Sequence, residues 1–253
     1  MIVDGSVVLV TGSSSGIGAA VARVVADRGA AVVLHGRDLG RLSAVAASIP
    51  GAAAVSVDLA VPGAAERLAD EAVAVHGRLD IAIVNAGLGF AGRFAAMAPD
   101  RIDHLITVNL TAALRLTRAL LPSLLERDCG YLAYVTSIAG RTGVEGEAVY
   151  SATKAGLDAF AESLRHELRD TRVRVGVFVP GVIDTPFFTN RGTPYSRRRP
   201  RPVAVQPVAQ AMVRMIERDA AEAYYPRWLR LPVALRGLAP CTFRTLAGRF
   251  GGS

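Results

Sequence analysis

Short apolar runs alternate with longer amphipathic stretches along this chain, and that alternation restricts the fold more than any other feature. Strands are predicted at six of the runs, Val7–Val10, Ala31–Leu34, Ala53–Val57, Ile81–Val84, Tyr131–Thr136 and Val173–Val179. Helices are predicted at Gly16–Arg28, Leu39–Ser48, Gly63–His76, Pro99–Glu126 and Ala148–Arg169. Strands that are apolar at consecutive positions are buried on both faces. We therefore expect one α/β domain over 1–253, a doubly wound parallel sheet of about seven strands with helices on both faces.

The positive charge of the chain belongs to its C-terminal quarter. Residues 1–190 carry 17 basic and 19 acidic side chains, a net charge of −2, whereas residues 191–253 carry 12 arginines and 3 acids, a net charge of +9. The run Arg197-Arg198-Arg199-Pro200-Arg201 is predicted to be a solvated loop, because no aromatic platform or nucleic-acid motif accompanies it. No nucleic-acid partner is expected. The Pro- and Arg-rich segment 187–207 is predicted to be a substrate-loop insertion before a helix near Val208–Arg218.

Several simple counts exclude other classes of protein. Cys129 and Cys241 are too few and too far apart for a disulfide framework or a zinc cluster, and no metal site is predicted. The first residues carry no basic leader, and every mainly apolar stretch of about 20 residues is interrupted by Gly, Pro or a charged residue. A cytoplasmic protein without a spanning segment is expected.

A glycine-rich turn follows the first predicted strand directly and opens a helix. It reads Thr11-Gly12-Ser13-Ser14-Ser15-Gly16-Ile17-Gly18. Glycines allow a sharp turn and let a pyrophosphate approach the helix N-terminus, where free N–H groups and the helix dipole favour anions. The spacing G-x-x-x-G-x-G differs from the common G-x-G-x-x-G dinucleotide pattern. A tight turn that binds no ligand is the alternative.

Two later motifs complete a pattern with this turn. They are Asn85-Ala86-Gly87 after the fourth strand and Tyr150-Ser151-Ala152-Thr153-Lys154 on a later helix. In this order, over about Val3 to Arg218, the three motifs resemble the short-chain dehydrogenase/reductase family. The resemblance implies a Rossmann-like fold, a nicotinamide cofactor, a small-molecule carbonyl or alcohol substrate and a homodimer or homotetramer.

The end of the second strand predicts which cofactor is used. An acidic side chain there would hydrogen-bond the adenosine ribose, whereas an arginine would accept a 2′-phosphate. Gly36 stands where NAD-dependent members of the family carry Asp, and Arg37 follows it. NADP(H) is therefore expected over NAD(H). In the alternative, Arg37 is only solvated and Asp38 turns inward to hold NAD.

The resemblance also implies a full set of cofactor contacts. Asp58-Leu59 would contact the adenine ring, although Asp58 could instead cap a helix, and the segment Pro180–Thr185 would grip the nicotinamide carboxamide. The expected cofactor-binding residues are Gly12, Ser14, Ser15, Gly16, Ile17, Gly18, Arg37, Asp58, Leu59, Asn85, Ala86, Gly87, Tyr150, Lys154, Pro180, Gly181, Ile183 and Thr185.

Tyr150 and Lys154 form the core of the predicted catalytic group. They are four residues apart, so on a helix they share one face. A phenol with a pKa near 10 needs a nearby cation to act as an acid or base at neutral pH. Lys154 is the single lysine among 29 basic residues. Its compact ammonium could also donate to two ribose hydroxyls, which the planar fork of arginine would do badly.

Ser137 and Asn109 are the other predicted catalytic residues. Ser137 follows the fifth strand at its carboxyl end, where its hydroxyl could bond a substrate carbonyl. Asn109 lies inside the long fourth helix, where asparagine is a poor helix former, so a kink or a side-chain bond to the backbone is expected. By resemblance Asn109 holds a water that links Lys154 to solvent; an ordinary buried polar residue is the alternative.

These residues predict an NADP(H)-dependent oxidoreductase that interconverts a carbonyl and a secondary alcohol, with Tyr150 moving the proton and Ser137 orienting the oxygen. A non-catalytic dinucleotide-sensing module on the same fold is the alternative. The predicted pocket walls are Leu88–Phe94, Ala139–Glu147 and Phe187–Pro207, which favour an apolar or extended substrate. Arg191 could instead meet a phosphate or carboxylate handle. His35 and the other three histidines are expected on the surface or in packing.

A basic helical extension is predicted over 226–253. Trp228, Leu231, Leu235 and Leu238 recur at helical spacing with arginines between them, a pattern that can lie in a membrane interface. Breaks are expected at Pro232, Gly237 and Pro240. The breaks favour packing on the body, over the pocket or at a subunit interface, so membrane contact stays the less favoured alternative.

Overall fold

A seven-stranded, all-parallel sheet forms the centre of the computed structural model, which describes residues 1–196 and 200–251. Its order is β3-β2-β1-β4-β5-β6-β7. The strands are β1 Val7–Thr11, β2 Ala31–Gly36, β3 Ala53–Ser56, β4 Ile81–Val84, β5 Gly130–Val135, β6 Val173–Pro180 and β7 Glu222–Tyr225. The predicted fold class is confirmed. The residues Arg197–Arg199 of the arginine run lie outside the described residues.

Helices cover both faces of the sheet. They are α1 Gly16–Asp27, α2 Leu39–Ala46, α3 Ala64–His76, α4 Pro99–Ile106, α5 Ala112–Glu126, α6 Ile138–Thr142, α7 Ala148–Glu167, α8 Phe187–Asn190, α9 Val205–Glu217, α10 Arg230–Leu238 and α11 Pro240–Gly251. One core layer packs α3, α5 and α7 against the sheet, and the other packs α1 and α9. The strands β1, β4 and β5 are buried along their whole length because helices cover both faces of the sheet, whereas the edge strands β3 and β7 are only partly buried.

The long helix predicted over 99–126 is interrupted at its middle. Residues Thr107–Thr111 form a π turn between α4 and α5, and Asn109 lies at its centre. The expectation of a kink at Asn109 is confirmed. π turns insert one extra residue per turn, so this one changes where the Asn109 side chain points relative to a regular helix.

The region after β6 differs from the prediction at three places. The segment 187–207 begins with the short helix α8, and Val203 pairs with Ile183 by a β-bridge. Helix α9 begins at Val205, three residues before the predicted start. The strand β7 follows α9 and completes the sheet, although its four residues gave no clear periodic signal.

The C-terminal extension consists of two helices that meet at Pro240, one of the three predicted breaks. Pro232 lies in the first turn of α10, where the missing N–H costs no hydrogen bond, so the break predicted there is wrong. Gly237 also lies inside α10, whereas Pro240 starts α11 as its first residue. Within residues 1–196 and 200–251, none of the helices combines the length and apolar character needed to cross a bilayer.

Candidate active site

The predicted site residues meet at the carboxyl edge of the sheet, where the strand order reverses between β1 and β4. Loops that leave neighbouring strands in opposite directions open a crevice at such a point. The glycine turn leaves β1 there. Gly12 and Gly16 have φ angles of +66° and +57°, which L side chains rarely adopt. The predicted turn geometry thus depends on glycine at both positions.

The glycine turn is fastened to the Asn85-Ala86-Gly87 segment. The Asn85 Nδ2 donates to the carbonyl oxygens of Thr11 and Gly12 at 2.9 and 3.3 Å. The Thr11 hydroxyl oxygen accepts from the backbone N–H groups of Asn85 and Ala86, both at 2.9 Å. A Cβ on Gly18 would lie 2.3 Å from the Gly12 carbonyl oxygen. Gly18 is therefore required by close packing of α1 on the turn.

A buried histidine joins the same turn to β2 and β3. His35 Nε2 bonds the Val57 carbonyl oxygen at 3.1 Å, which makes it the donor, and Nδ1 accepts from the Gly12 N–H at 3.4 Å. Burial lowers the pKa of His35 from 6.5 to about 4, although the hydrogen bond to the Val57 carbonyl oxygen acts to raise it. The Ser13 hydroxyl accepts from the His35 N–H at 2.9 Å. His35 is a packing histidine, as predicted, and it is neutral at physiological pH.

Two charged residues follow β2: Arg37 is exposed to solvent, and Asp38 contacts Arg41. Asp38 caps α2 by accepting from the Arg41 N–H at 3.0 Å and pairs with the Arg41 Nε at 2.8 Å. These contacts, the backbone bond first, lower the pKa of Asp38. Arg37 is exposed and has no carboxylate partner among the described residues. Gly36 lies against the glycine turn, where a Cβ on this residue would be 3.2 Å from the Ser14 Cβ.

A turn follows β3, and one carboxylate oxygen of Asp58 accepts a hydrogen bond within it. Its Oδ1 accepts from the Ala60 N–H at 3.0 Å, so the carboxylate shapes a turn and does not cap α3, which begins after Gly63. Leu59 is buried in the core, which leaves its backbone alone to face the crevice. These contacts are compatible with the expected adenine site.

The tyrosine of the predicted catalytic group is buried beside the serine. Helix α7 carries Tyr150 and Lys154 on one face, and Ser137 caps α6 directly after β5, its Oγ accepting from the Ala139 N–H at 3.1 Å. Burial raises the pKa of Tyr150, and the charge of Glu147 raises it further. A hydrogen bond from Ser137 and the charge of Arg191 oppose the rise. The phenol is thus a neutral proton donor in this structure.

Lys154 is a buried ammonium that uses one of its three N–H donors among the described residues. Its Nζ donates to the Val135 carbonyl oxygen at 2.9 Å, its one hydrogen bond among the described residues. Burial lowers its pKa from 10.5 to about 8. An ammonium has three N–H donors, so two remain for hydroxyl groups of a ligand. Lys154 does not figure among the charges that shift the pKa of Tyr150, and its expected effect on the phenol stays a prediction.

The side chain of Asn109 makes three hydrogen bonds within the protein. Its Nδ2 donates to the Leu88 carbonyl oxygen at 2.8 Å and to the Thr153 hydroxyl at 3.2 Å, and its Oδ1 accepts from the Leu88 N–H at 2.7 Å. A Cβ on Gly87 would be 3.4 Å from both the Asn109 Oδ1 and the Lys154 Nζ. The π turn therefore holds the segment after β4 against α7, next to Lys154.

The segment after β6 closes the crevice opposite the glycine turn. A Cβ on Gly16 would lie 3.3 Å from the Thr185 side chain, so the two loops face each other at contact distance. Ile183 is buried and anchors the segment in the core, while Gly181 packs against Leu229. The predicted nicotinamide-gripping segment thus borders both the glycine turn and the C-terminal extension.

The helices next to Ser137 and Tyr150, α6 and α7, touch backbone to backbone. A Cβ on Gly140 of α6 would lie 2.8 Å from the Ala155 nitrogen and 2.8 Å from the Lys154 carbonyl carbon of α7. Arg141, one residue later, pairs with Asp158 of α7 at 2.8 Å and with Glu222 of β7 at 2.6 Å. The serine-bearing and tyrosine-bearing helices are therefore held together as one unit.

Apolar walls surround the phenol. Met97, Leu105 and Ala139 are buried with Tyr150, and residues from the predicted walls pack against this cluster: Phe90, Val144 and Phe187. The ring of Phe187 lies 5.5 Å from that of Tyr150, centre to centre. The expected aliphatic and aromatic character of the pocket is present at the reacting group.

This arrangement of turn, crevice and Ser-Tyr-Lys group coincides with a match to a family model. The model, described as short chain dehydrogenase, covers residues 6–195. The chain belongs to the short-chain dehydrogenase family. Membership of this family makes the chain an oxidoreductase by family.

Relatives and solved structures agree with this membership. An uncharacterized oxidoreductase of Myxococcus xanthus is 36% identical to this dehydrogenase over 236 residues, which is 92% of each protein. The short-chain dehydrogenase of Sphingobium yanoikuyae in complex with NADPH superposes with a TM-score of 0.83 at 30% identity, covering 93% of this chain and 95% of that one. A short chain dehydrogenase/reductase of Burkholderia phymatum in complex with NAD shares the fold, with a TM-score of 0.85 at 22% identity over 94% of each chain.

The sequence did not predict the ion pair between Arg191 and Glu147. Arg191, considered there as a handle for an anionic substrate, pairs with Glu147, and its Nε donates to the Thr193 carbonyl oxygen at 2.9 Å. The guanidinium also lies 4.7 Å from the centre of the Phe188 ring. Arg191 is thus occupied within the protein. Its partner lies 44 residues away in sequence, and no periodic or motif signal links them.

Proposed function

We propose that this chain is an NADP(H)-dependent oxidoreductase that interconverts a carbonyl and a secondary alcohol on an apolar or extended substrate. The observation that carries the proposal is the buried Tyr150 phenol beside Ser137, on the same helical face as the buried Lys154 ammonium. A sensing module would have no need to bury a lone ammonium with two unused donors, since this burial costs stability. An oxidoreductase therefore explains the burial of Tyr150 and Lys154 better than a sensing module does.

A nicotinamide dinucleotide fits the crevice on the features of this chain. The Gly12 and Gly16 backbone leaves room for a pyrophosphate at the start of α1, and the spare donors of Lys154 suit ribose hydroxyls. When bound, the nicotinamide would supply or accept the hydride. Tyr150 would hold the proton that reaches the substrate oxygen, and Ser137 would orient that oxygen. Asn109 would keep Leu88 and α7 in register and support a water near Lys154.

The preference for NADP(H) rests on Arg37 and Asp38. The engaged carboxylate of Asp38 argues against its turning inward to the adenosine ribose. An exposed arginine without a carboxylate partner in the described ranges suits a 2′-phosphate. The relatives leave the choice open, since the two similar structures contain NADPH and NAD respectively.

An oligomer, a homodimer or homotetramer, is part of the proposal. An apolar hollow of about 380 Å³ lies between α4 and α7, lined by Ile106, Leu110 and Val149, and Phe94 at its edge is largely exposed. Exposed apolar hollows of this kind mark interaction surfaces. Light scattering coupled to gel filtration would give the number of subunits directly.

Calorimetric titration with NADPH and NADH, on the wild type and on Arg37→Asp, tests the cofactor assignment. We expect NADPH to bind more tightly, and the substitution to shift the preference toward NADH by at least about tenfold, since it exchanges attraction for repulsion at the 2′-phosphate. Arg101→Asp, an exposed arginine elsewhere, is the matched control. Binding of neither nucleotide would remove the proposal.

A panel of aldehydes and ketones then tests the chemistry. NADPH consumption that falls by about 10²–10⁴ in Tyr150→Phe, with nucleotide affinity retained, is the expected result. Nucleotide binding without turnover of any substrate by the wild type would favour the sensing module instead.

A further inference from the structure

The C-terminal extension presents an apolar groove that nothing in the described chain covers. Helices α10 and α11 enclose a cleft of about 560 Å³ lined by Trp228, Leu231, Leu235, Phe243 and Leu246. Trp228 is 50% exposed, and Leu231 and Leu238 on α10 are 71% and 88% exposed. These are among the largest apolar exposures in the described residues. Contiguous exposed apolar surface of this kind marks an interaction site.

The exposure does not arise because α10 lacks a place to pack. Leu229, just before the helix, is buried, and Val233 packs against the same core layer as α3, α5 and α7. A helix that only packs on the body needs one apolar stripe. Helix α10 has a second stripe, Leu231, Leu235 and Leu238, at spacings of four and three residues. The second stripe therefore needs a separate explanation.

The charge around the groove indicates the nature of its partner. Residues 226–253 contain five arginines and no acidic residue. Arg227, Arg230, Arg236 and Arg244 form no ion pair in the described ranges, whereas most arginines of the body pair with a carboxylate. Arg230 instead lies 5.5 Å from the centre of the Tyr224 ring. The apolar groove is thus bordered by positive charge that no carboxylate of the described residues pairs with.

We propose that the α10–α11 pair docks this protein on an anionic lipid surface, with the Trp228 and leucine stripe entering the interface and the arginines facing the phosphates. Tryptophan and arginine around an apolar stripe suit the boundary between acyl chains and headgroups. A second copy of the chain fits less well, because a two-fold interface would bring the same arginines face to face. Pro232 and Gly237 lie within α10 and leave its apolar stripe continuous, while the break at Pro240 separates α10 from α11.

The docking surface borders the catalytic crevice. Leu229 packs against Gly181 of the nicotinamide-facing segment, and Arg236 donates to the carbonyl oxygen of Arg141, in the helix that follows Ser137. A bilayer bound to α10 and α11 would therefore lie beside the crevice. Such a position gives an apolar substrate a short path from lipid to Tyr150.

Vesicle binding by the full chain tests the proposal, with Trp228 as the probe. It is the single tryptophan of the protein, so its emission reports on this groove alone. We expect cosedimentation with vesicles of phosphatidylcholine and phosphatidylglycerol in equal parts, a blue shift of the emission and protection from acrylamide. Binding should weaken on vesicles of phosphatidylcholine alone and at high salt.

Two variants separate the apolar and the charged contributions. Leu231→Glu with Leu238→Glu should weaken partitioning at least about tenfold, because two side chains lose their place in lipid. Arg227→Gln with Arg244→Gln should weaken it roughly twenty-five-fold, at about fivefold per charge. Both pairs are exposed, so the fold should stand. Ile2→Glu and Arg101→Gln with Arg118→Gln are the matched controls and should bind like the wild type.

Three results would overturn the proposal. The first is wild-type protein that stays in the supernatant with anionic vesicles at low salt. The second is cosedimentation without any change in Trp228 emission, which would place the contact on another surface. The third is a smaller oligomer for the Leu231→Glu, Leu238→Glu variant in the absence of lipid, which would make the groove an interface between copies.

Discussion

Arg191 and Glu147 form an ion pair beside the Tyr150 phenol, with 7% and 15% of their side chains exposed. Glu147 lies three residues before Tyr150, just ahead of α7, and Arg191 follows α8, whose Phe187 packs on the Tyr150 ring. The pair thus ties the substrate segment to the helix that carries the phenol. Each charge is compensated by the other in a place that water scarcely reaches.

Removing one partner of this pair should destabilise the protein strongly. We expect Glu147→Leu or Arg191→Met alone to lower the free energy of unfolding by about 3–5 kcal/mol, because the remaining charge is left buried without compensation. The double variant should recover most of the loss. Urea unfolding of the four proteins measures the coupling. The exposed pair Arg169–Asp170 is the control, and a coupling there as large as at Arg191–Glu147 would contradict the role of burial.

The same two residues should set the pH range of the reaction in opposite directions. The charge of Glu147 raises the pKa of Tyr150 and that of Arg191 lowers it. Glu147→Gln should therefore move the high-pH loss of carbonyl reduction to lower pH, and Arg191→Met should move it to higher pH. Profiles of kcat/KM against pH give both shifts. Shifts of the same sign in the two variants would show that the pair acts through structure alone.

Lys154 should cost stability in the absence of cofactor. Burial lowers the pKa of this ammonium from 10.5 to about 8, which corresponds to about 3 kcal/mol against the charged form at neutral pH. The bond to the Val135 carbonyl oxygen returns about 1–2 kcal/mol. Lys154→Met should thus raise the free energy of unfolding by about 1–2 kcal/mol while abolishing activity. Thermal unfolding without nucleotide checks this, and a variant less stable than the wild type would refute it.

His35 should make the fold sensitive to acid. Its pKa is lowered in the folded protein from 6.5 to about 4, so the unfolded chain takes up the proton first as the pH falls. This contribution is complete above pH 6.5 and is lost progressively between pH 6.5 and about 4, in total about 3 kcal/mol. His35→Gln should flatten the dependence of unfolding free energy on pH in that window. The exposed His76→Gln, as control, should leave it unchanged.

The alternation of apolar runs predicted six of the seven strands, because buried parallel strands and their helices have distinct periods. Contacts between distant residues were not predictable in the same way. Glu147 and Arg191 belong to segments with no shared pattern, and the pairing of Arg141 with Glu222 joins α6 to a strand too short to show a period. Pro232 misled the prediction because a proline in the first turn of a helix and one that breaks it look alike in sequence.

The close contact at Gly140 has a consequence for how the pocket can change. Backbone atoms of α6 and α7 meet there without intervening side chains, so Ser137, Tyr150 and Lys154 keep their mutual geometry whatever residues line the pocket. The segment around Phe187 lies outside this unit and joins it through side-chain contacts alone. Substitutions in α8 can therefore reshape the pocket wall without moving Ser137, Tyr150 and Lys154 relative to one another.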